Sequence, residues 1–319
     1  MGSETSTERI VIEEPLLDWL LEGDPAIRWQ VRRDLLDEPE DELAAARSLI
    51  AREGWGADLL KHQDPSGMWG GGLYSPKWIS TTYTLLLLRR MGLPADDPQA
   101  RKGCKLLLDR GFYSDDGINY SQKSYSYSET CVTGMVLSIL AHFRYPDGRV
   151  ERLVDHLLRQ QMNDAGWNCN SYHGDKHSSF HTTISVLEGL HEFEKISGYR
   201  GQEVRRTQEE ALEFLLRHRL YRSHRTGEIV HPAMTRFSFP PRWHYDVMRG
   251  LDYSQAAKAE KDERFKDAIG LLLKKRRKDG TWPLQNRYSG RVYFDMERPG
   301  RPSRWNTLRA LRVLRWWSE

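Results

Sequence analysis

A glycine-containing turn closed by tryptophan, then a polar loop, then the start of an apolar helix: this unit recurs along the 319-residue chain. The recurrence constrains the fold more than any single motif does. The fullest copy is Gln161-Met-Asn-Asp-Ala-Gly-Trp167, a loop carrying Cys169, His173 and His177, and the run Phe180-His-Thr-Thr-Ile-Ser-Val-Leu-Glu-Gly-Leu190. A first copy pairs His62-Gln-Asp-Pro-Ser-Gly-Met-Trp69 with Ser80-Thr-Thr-Tyr-Thr-Leu-Leu-Leu-Leu88, and a second leads from Asp115-Asp-Gly-Ile118 to Glu129-Thr-Cys131. A degenerate fourth copy, Arg225-Thr-Gly-Glu228, precedes His244-Tyr-Asp246, and a fifth, Asp279-Gly-Thr-Trp282, precedes Arg304-Trp-Asn306.

Polar amphipathic helices are expected between these units, over 98–108, 150–161, 202–217 and 263–276. The spacing gives a period of about 50 residues, each repeat supplying an outer and an inner helix. With an N-terminal pair, in which Asp24-Pro25 starts a helix, the count is six pairs. One helix pair cannot bury both faces, so neighbours must stack. The expected fold is all-α, an α/α toroid of six helix pairs around a central cavity, with an open solenoid as the alternative. Residues 13–319 are expected to form one domain behind a disordered N-terminus over 1–12.

Composition excludes several classes. The net charge of +3 supplies no field demanding a nucleic acid, and no nucleic-acid module is recognisable. The longest aliphatic run, Leu85 to Leu88, ends at Arg89-Arg90, far short of the roughly 20 residues of a transmembrane span. Three cysteines make no disulfide framework, and the polar N-terminus is no signal peptide, so the expected location is the cytoplasm.

The turns Gln63-Asp-Pro-Ser-Gly-Met-Trp69 and Gln161-Met-Asn-Asp-Ala-Gly-Trp167 resemble the QW repeats of squalene–hopene cyclases and related α/α toroids. The stretch from Phe180 to Leu190 resembles the Tyr-His-Thr-Cys-Tyr-x-Leu-Ser-Gly-Leu segment of protein prenyltransferase β subunits. That resemblance implies that His181 is a zinc ligand. It makes Glu129-Thr-Cys131 the counterpart of an Asp-x-Cys ligand pair, with Glu in place of Asp. The Asp-x-Asp-Asp acid motif of the hopene cyclases is absent, so chemistry like theirs needs another acid. Prenyltransferases also work with a separate α subunit, and whether this chain has a partner subunit is left open.

In a ring the inner-helix starts converge on one rim. Glu129, Cys131 and His181 supply carboxylate, thiolate and imidazole, donors suited to Zn²⁺ with one position open. Their alternative role is helix capping and core packing. Cys169, His173 and His177 form a rival donor set. His244 and Asp246 are candidates for an acid/base pair, or for caps. Arg242 and Arg304 are candidates for a phosphate or other anion. Trp243, Tyr245 and Trp305 are candidates for contact with an apolar substrate or carbocation, whereas Trp69, Trp167 and Trp282 are expected to be structural. These readings point to a prenyltransferase- or terpene-cyclase-like enzyme acting on an isoprenoid or similar apolar substrate, with zinc assisting. The alternatives are a toroid enzyme of unrelated metal-dependent chemistry and a non-catalytic binding or scaffold protein.

Overall fold

The computed structural model describes residues 12–319, so most of the stretch expected to be disordered lies outside the described residues. The first five helices are α1 (Glu14–Leu21), α2 (Pro25–Asp34), α3 (Glu40–Ser48), α4 (Gly54–Lys61) and α5 (Thr81–Met91). They are followed by α6 (Pro98–Gly111), α7 (Thr130–His142), α8 (Arg149–Arg159), α9 (Phe180–Glu194) and α10 (Gly201–Arg217). The last three are α11 (Val247–Ala256), α12 (Lys266–Lys274) and α13 (Arg304–Ser318). No helix among the described residues is long and apolar enough to cross a membrane.

Burial pattern sorts these helices into two rings. Outer helix α8 buries Val150, Leu153, Val154 and Leu157, an i, i+3, i+4, i+7 stripe with charge on its other face. Inner helix α7 is buried from Val132 to Ala141. The inner helices touch in the order α5, α7, α9, α11, α13, α2. The ring then closes, because the Gln30 amide donates to the carbonyls of Arg90 and Met91 at the end of α5 (2.9 and 3.4 Å). The all-α toroid is therefore closed, not an open solenoid. Helices α7 and α9 meet backbone to backbone at Gly134 and Gly189: a Cβ on Gly189 would lie 2.5 Å from the Gly134 carbonyl oxygen.

One joint repeats between outer and inner helices. Trp69, Trp167 and Trp282 have no exposed surface. Each indole N–H donates to a carbonyl ten residues earlier, those of Leu59, Leu157 and Leu272 (2.7–2.8 Å). Each tryptophan backbone N–H donates to a threonine on the following inner helix, Thr81, Thr183 or Thr307. Gln63 and Gln161 reach across to the carbonyls of Gln99 and Thr207 on the next outer helix. The second repeat has no tryptophan. There Ile118 N–H takes Thr133, and the Tyr120 hydroxyl donates to Leu107.

The residue two before each tryptophan is left-handed: Gly67 (φ 96°), Ala165 (φ 74°) and Gly280 (φ 81°). Alanine pays a steric penalty there of roughly 1–2 kcal/mol, partly offset by the entropy glycine would lose. Ala165→Gly is expected to stabilise the fold by about 0.5–1 kcal/mol. A urea midpoint lowered by that substitution would contradict this account of the turn.

The Asp24 carboxylate accepts the Trp55 N–H (2.7 Å) at the start of α4. One boundary differs from the sequence reading. Helix α11 begins at Val247, not His244, because Asp246 caps it by accepting the Arg249 N–H (2.9 Å).

The ring interior is not uniformly apolar. Toward the C-terminal ends of the inner helices, Glu188 accepts from Arg89, Arg90 and Arg249. Asp252 accepts there from Arg309 and Arg312. Of these groups, Arg89, Arg90, Glu188, Asp252 and Arg312 line a polar depression of about 500 Å³. The other end of the ring carries the aromatic side chains.

Candidate functional site

The inner-helix starts and three loops build the aromatic rim. The loop between Trp69 and α5 supplies Tyr74, Lys77 and Trp78. The start of α7 supplies Glu129 and Cys131, the loop after Trp167 supplies Cys169, and α9 supplies His181. The segment before α11 supplies Arg242, Trp243 and His244, and the last loop supplies Tyr288. Glu129, His181 and His244 share one rim: the imidazole centroids of His181 and His244 are 5.7 Å apart, and Cys169 joins the start of α7, two residues after Glu129, to Thr182 beside His181.

His244 is sandwiched between Trp243 and Tyr288, each 3.7 Å away. His181 meets Trp243 edge-on at 5.2 Å. Trp78 stands edge-on to Tyr83 (4.8 Å) and His244 (6.1 Å). The Lys77 ammonium lies 5.4–5.8 Å from the rings of Tyr74, Trp78 and Trp243, within cation–π range. The Arg242 guanidinium sits 5.5 Å over Trp78.

Electrostatics follow from burial. His181 is pushed down to about 4 by burial and by Arg249. Its Nδ1 accepts the Tyr245 N–H (2.8 Å), which puts the proton of the neutral ring on Nε2. His244 is pushed down to about 3 by burial, His181, Arg249 and Lys77. Both imidazoles are therefore neutral near pH 7. Burial raises the Glu129 carboxyl, opposed only by Lys77, and Glu129 makes no cap to α7. Burial pushes Arg242 down to about 10, with Tyr83 the only group opposing it. Among the described residues, the Tyr83 hydroxyl and the Trp243 Nε1 are buried without hydrogen-bond partners. The rim thus holds a carboxyl biased toward its neutral form, neutral imidazoles, aromatic faces, and polar groups with unused hydrogen-bonding capacity.

The mouth is covered. Trp78 N–H donates to the Arg291 carbonyl (2.9 Å) and Arg291 N–H to the Lys77 carbonyl (3.1 Å), which ties the first loop to the last. The Tyr293 hydroxyl donates to the Ile79 carbonyl. A cleft of about 40 Å³ against these loops is lined by Trp78, Arg242, Val292 and Tyr293, with Glu129, His181 and His244 outside its lining.

Several expected roles are not met. Tyr245 is buried, packs on Phe180 and donates its hydroxyl to the Leu220 carbonyl. Trp305 is buried and stacked on Phe239 at 4.3 Å. Neither faces the mouth. Arg304 donates to the Trp19 carbonyl and lies over the Trp19 ring; it joins the last helix to the first. Asp246 accepts from Ser238 N–H and Arg249 N–H, so it is a cap and not the partner of His244. Among the described residues, no three His, Cys, Asp or Glu side chains gather closely enough to hold a metal ion. In the first expected set, Cys131 is engaged with Cys169 and His181 with Tyr245. In the rival set, His173 pairs with the Tyr127 hydroxyl and His177 is exposed. The residues present do not fit a zinc ion. Tyr74, Lys77, Trp78, Tyr83 and Tyr288 were missed in the sequence; the Gly-rich loop beside the first tryptophan was the one available signal.

No family model matches the chain, and no curated protein matches it. Among solved structures, it is similar to a variant of the type II terpene cyclase MstE from Scytonema in complex with geranylgeranyl dihydroxybenzoate. The identity is 18%, the TM-score is 0.45, and 93% of this chain and 88% of that chain are covered. The apo form of MstE gives 17% identity and a TM-score of 0.44 over 93% and 88%. A protein from Actinoplanes gives 17% identity and a TM-score of 0.47 over 93% and 91%.

Proposed function

We propose that the aromatic rim is the active site of a terpene-cyclase-like enzyme acting on an isoprenoid or similar apolar substrate, with Glu129 as the proton donor. The observations that support this reading are a carboxyl at the start of α7 that burial raises above its ordinary 4.5 and, on the same rim, three aromatic faces within cation–π range of an ammonium group. An acid catalyst must be protonated at working pH, and burial favours that for a carboxyl. The Glu129 O–H gives its proton to one alkene carbon. The π pair forms the new C–H bond, and the other carbon becomes cationic. Tyr74, Trp78 and Trp243 stabilise that charge through their ring faces. A carbocation's neighbouring C–H is acidic enough for a weak base, so neutral His244 can take the final proton. His181, fixed by Tyr245, holds the edge of Trp243. Lys77 and Arg242 attract an anionic head group, if the substrate has one.

The test is turnover of linear prenyl diphosphates, squalene and prenylated arenes by the purified protein, read as products by mass spectrometry. Glu129→Gln is expected to lower kcat by roughly 10²–10⁴-fold while KM and Tm hold. Wild-type kcat should fall as pH rises through the Glu129 value, which lies above its ordinary 4.5, because the donor is lost on deprotonation. Folded wild type that turns over no member of the panel, or a Glu129→Gln variant with undiminished kcat, would reject the reading.

A further inference from the structure

Cys131 and Cys169 are 38 residues apart in sequence, yet they meet at the rim. The Cys131 backbone N–H, at the start of α7, donates to the Cys169 sulfur (3.0 Å). The Thr182 hydroxyl, at the start of α9, donates to the same sulfur (3.5 Å). Two donors from two helix starts thus converge on one sulfur. Such an arrangement favours negative charge on that atom. The Cys169 backbone N–H donates back to Thr182 (3.3 Å), which fixes the loop that carries it. Both cysteines are only half-buried, whereas Cys104 is fully buried in α6.

We propose that Cys131 and Cys169 are a reactive dithiol that reduces hydroperoxides: Cys169 is the attacking sulfur and Cys131 the resolving one. The Cys169 thiolate gives an electron pair to the terminal oxygen of a hydroperoxide. The O–O bond breaks, the remaining alkoxide or hydroxide takes a proton and leaves, and Cys169 becomes a sulfenic acid. The Cys131 sulfur then attacks the Cys169 sulfur. The S–S bond forms, and the hydroxyl leaves as water with the proton of Cys131. The protein is oxidised by two electrons, and a small-molecule dithiol restores it. The resulting bridge would tie the loop over 168–177 to the start of α7, beside Glu129. The proposal rests on the thiol geometry alone and stands apart from the role given to Glu129.

The experiment treats the reduced, full-length protein with hydrogen peroxide and maps its thiols by peptide mass spectrometry. Wild type is expected to lose two of its three free thiols as an intramolecular Cys131–Cys169 bridge that dithiothreitol reverses, with Cys104 still free. In Cys131→Ser the bridge cannot form, and dimedone should label Cys169. In Cys169→Ser, Cys131 should react at least about tenfold more slowly than Cys169 does in Cys131→Ser. Three thiols surviving peroxide that oxidises free glutathione would overturn the proposal. So would a dimedone adduct confined to Cys131, or bridges that form only between molecules.

Discussion

Replacing Glu188 with alanine is expected to cost at least about 3–5 kcal/mol of folding stability, the range for breaking a buried ion pair by removing one partner. Glu188 accepts from Arg249 (2.8 and 3.0 Å), Arg90 (2.9 and 2.7 Å) and Arg89 (3.1 Å). The Arg249 side chain is 1% exposed and that of Glu188 11%. Without the carboxylate, Arg89 keeps Glu192 at 3.2 Å, whereas Arg90 and Arg249 lose their ion-pair partner inside the ring. The three guanidiniums hold Glu188 well below the ordinary carboxylate value of 4.5 despite its burial. Its folded value is depressed, so its contribution is complete above the unfolded value and is lost as pH falls through the folded one. Wild type should therefore lose this stability only in acid, while the variant lacks it at pH 7. Urea unfolding of both proteins at pH 7 measures the difference. A loss below about 1 kcal/mol, the scale of an exposed pair, would mean that water reaches these groups and that this end of the ring is open.

That network was not legible in the sequence, and the reason is physical. The inner helices follow from their apolar runs, and nothing in those runs singles out Glu188, Arg249 or Arg309. Their meaning depends on which helices become neighbours, a long-range property that periodicity does not carry. The repeat itself was legible because its parts are local. A left-handed residue two before the tryptophan and a carbonyl ten residues back recur at fixed offsets, and only the threonine, 12, 16 and 25 residues on, depends on the length of the loop. The rim was half legible. The positions of Glu129, His181 and His244 followed from their place in successive repeats. Their roles did not follow, because Cys131 turned to Cys169 and His181 to Tyr245, and neither pairing is a matter of spacing. Trp305 and Tyr245 looked like rim aromatics by position, yet they point into packing against Phe239 and Phe180. Of the three aromatic candidates only Trp243 lies on the rim, and the other faces there come from Tyr74, Trp78 and Tyr288, on loops without periodicity.

Trp167→Ala is expected to destabilise the fold by roughly 3–5 kcal/mol, the cost of emptying a fully buried indole site. The side chain has no exposed surface. Its N–H satisfies the Leu157 carbonyl near the end of α8, and its backbone N–H is held by Thr183 on α9. The substitution therefore removes packing volume and an outer-helix tie at one point. Trp167→Phe keeps most of the volume and loses the indole hydrogen bond, while the Leu157 carbonyl keeps the Gln160 N–H (3.2 Å), so it should cost less than alanine, about 0.5–1.5 kcal/mol. The ordering of the two variants separates packing from hydrogen bonding. Because α8 and α9 belong to a closed ring, the loss should appear as one shifted cooperative transition, with far-ultraviolet circular dichroism and tryptophan fluorescence moving together. A Trp167→Ala protein that melts where wild type does would show that the joint is not what holds the two rings together. One in which the two signals separate would show that the toroid does not unfold as one unit.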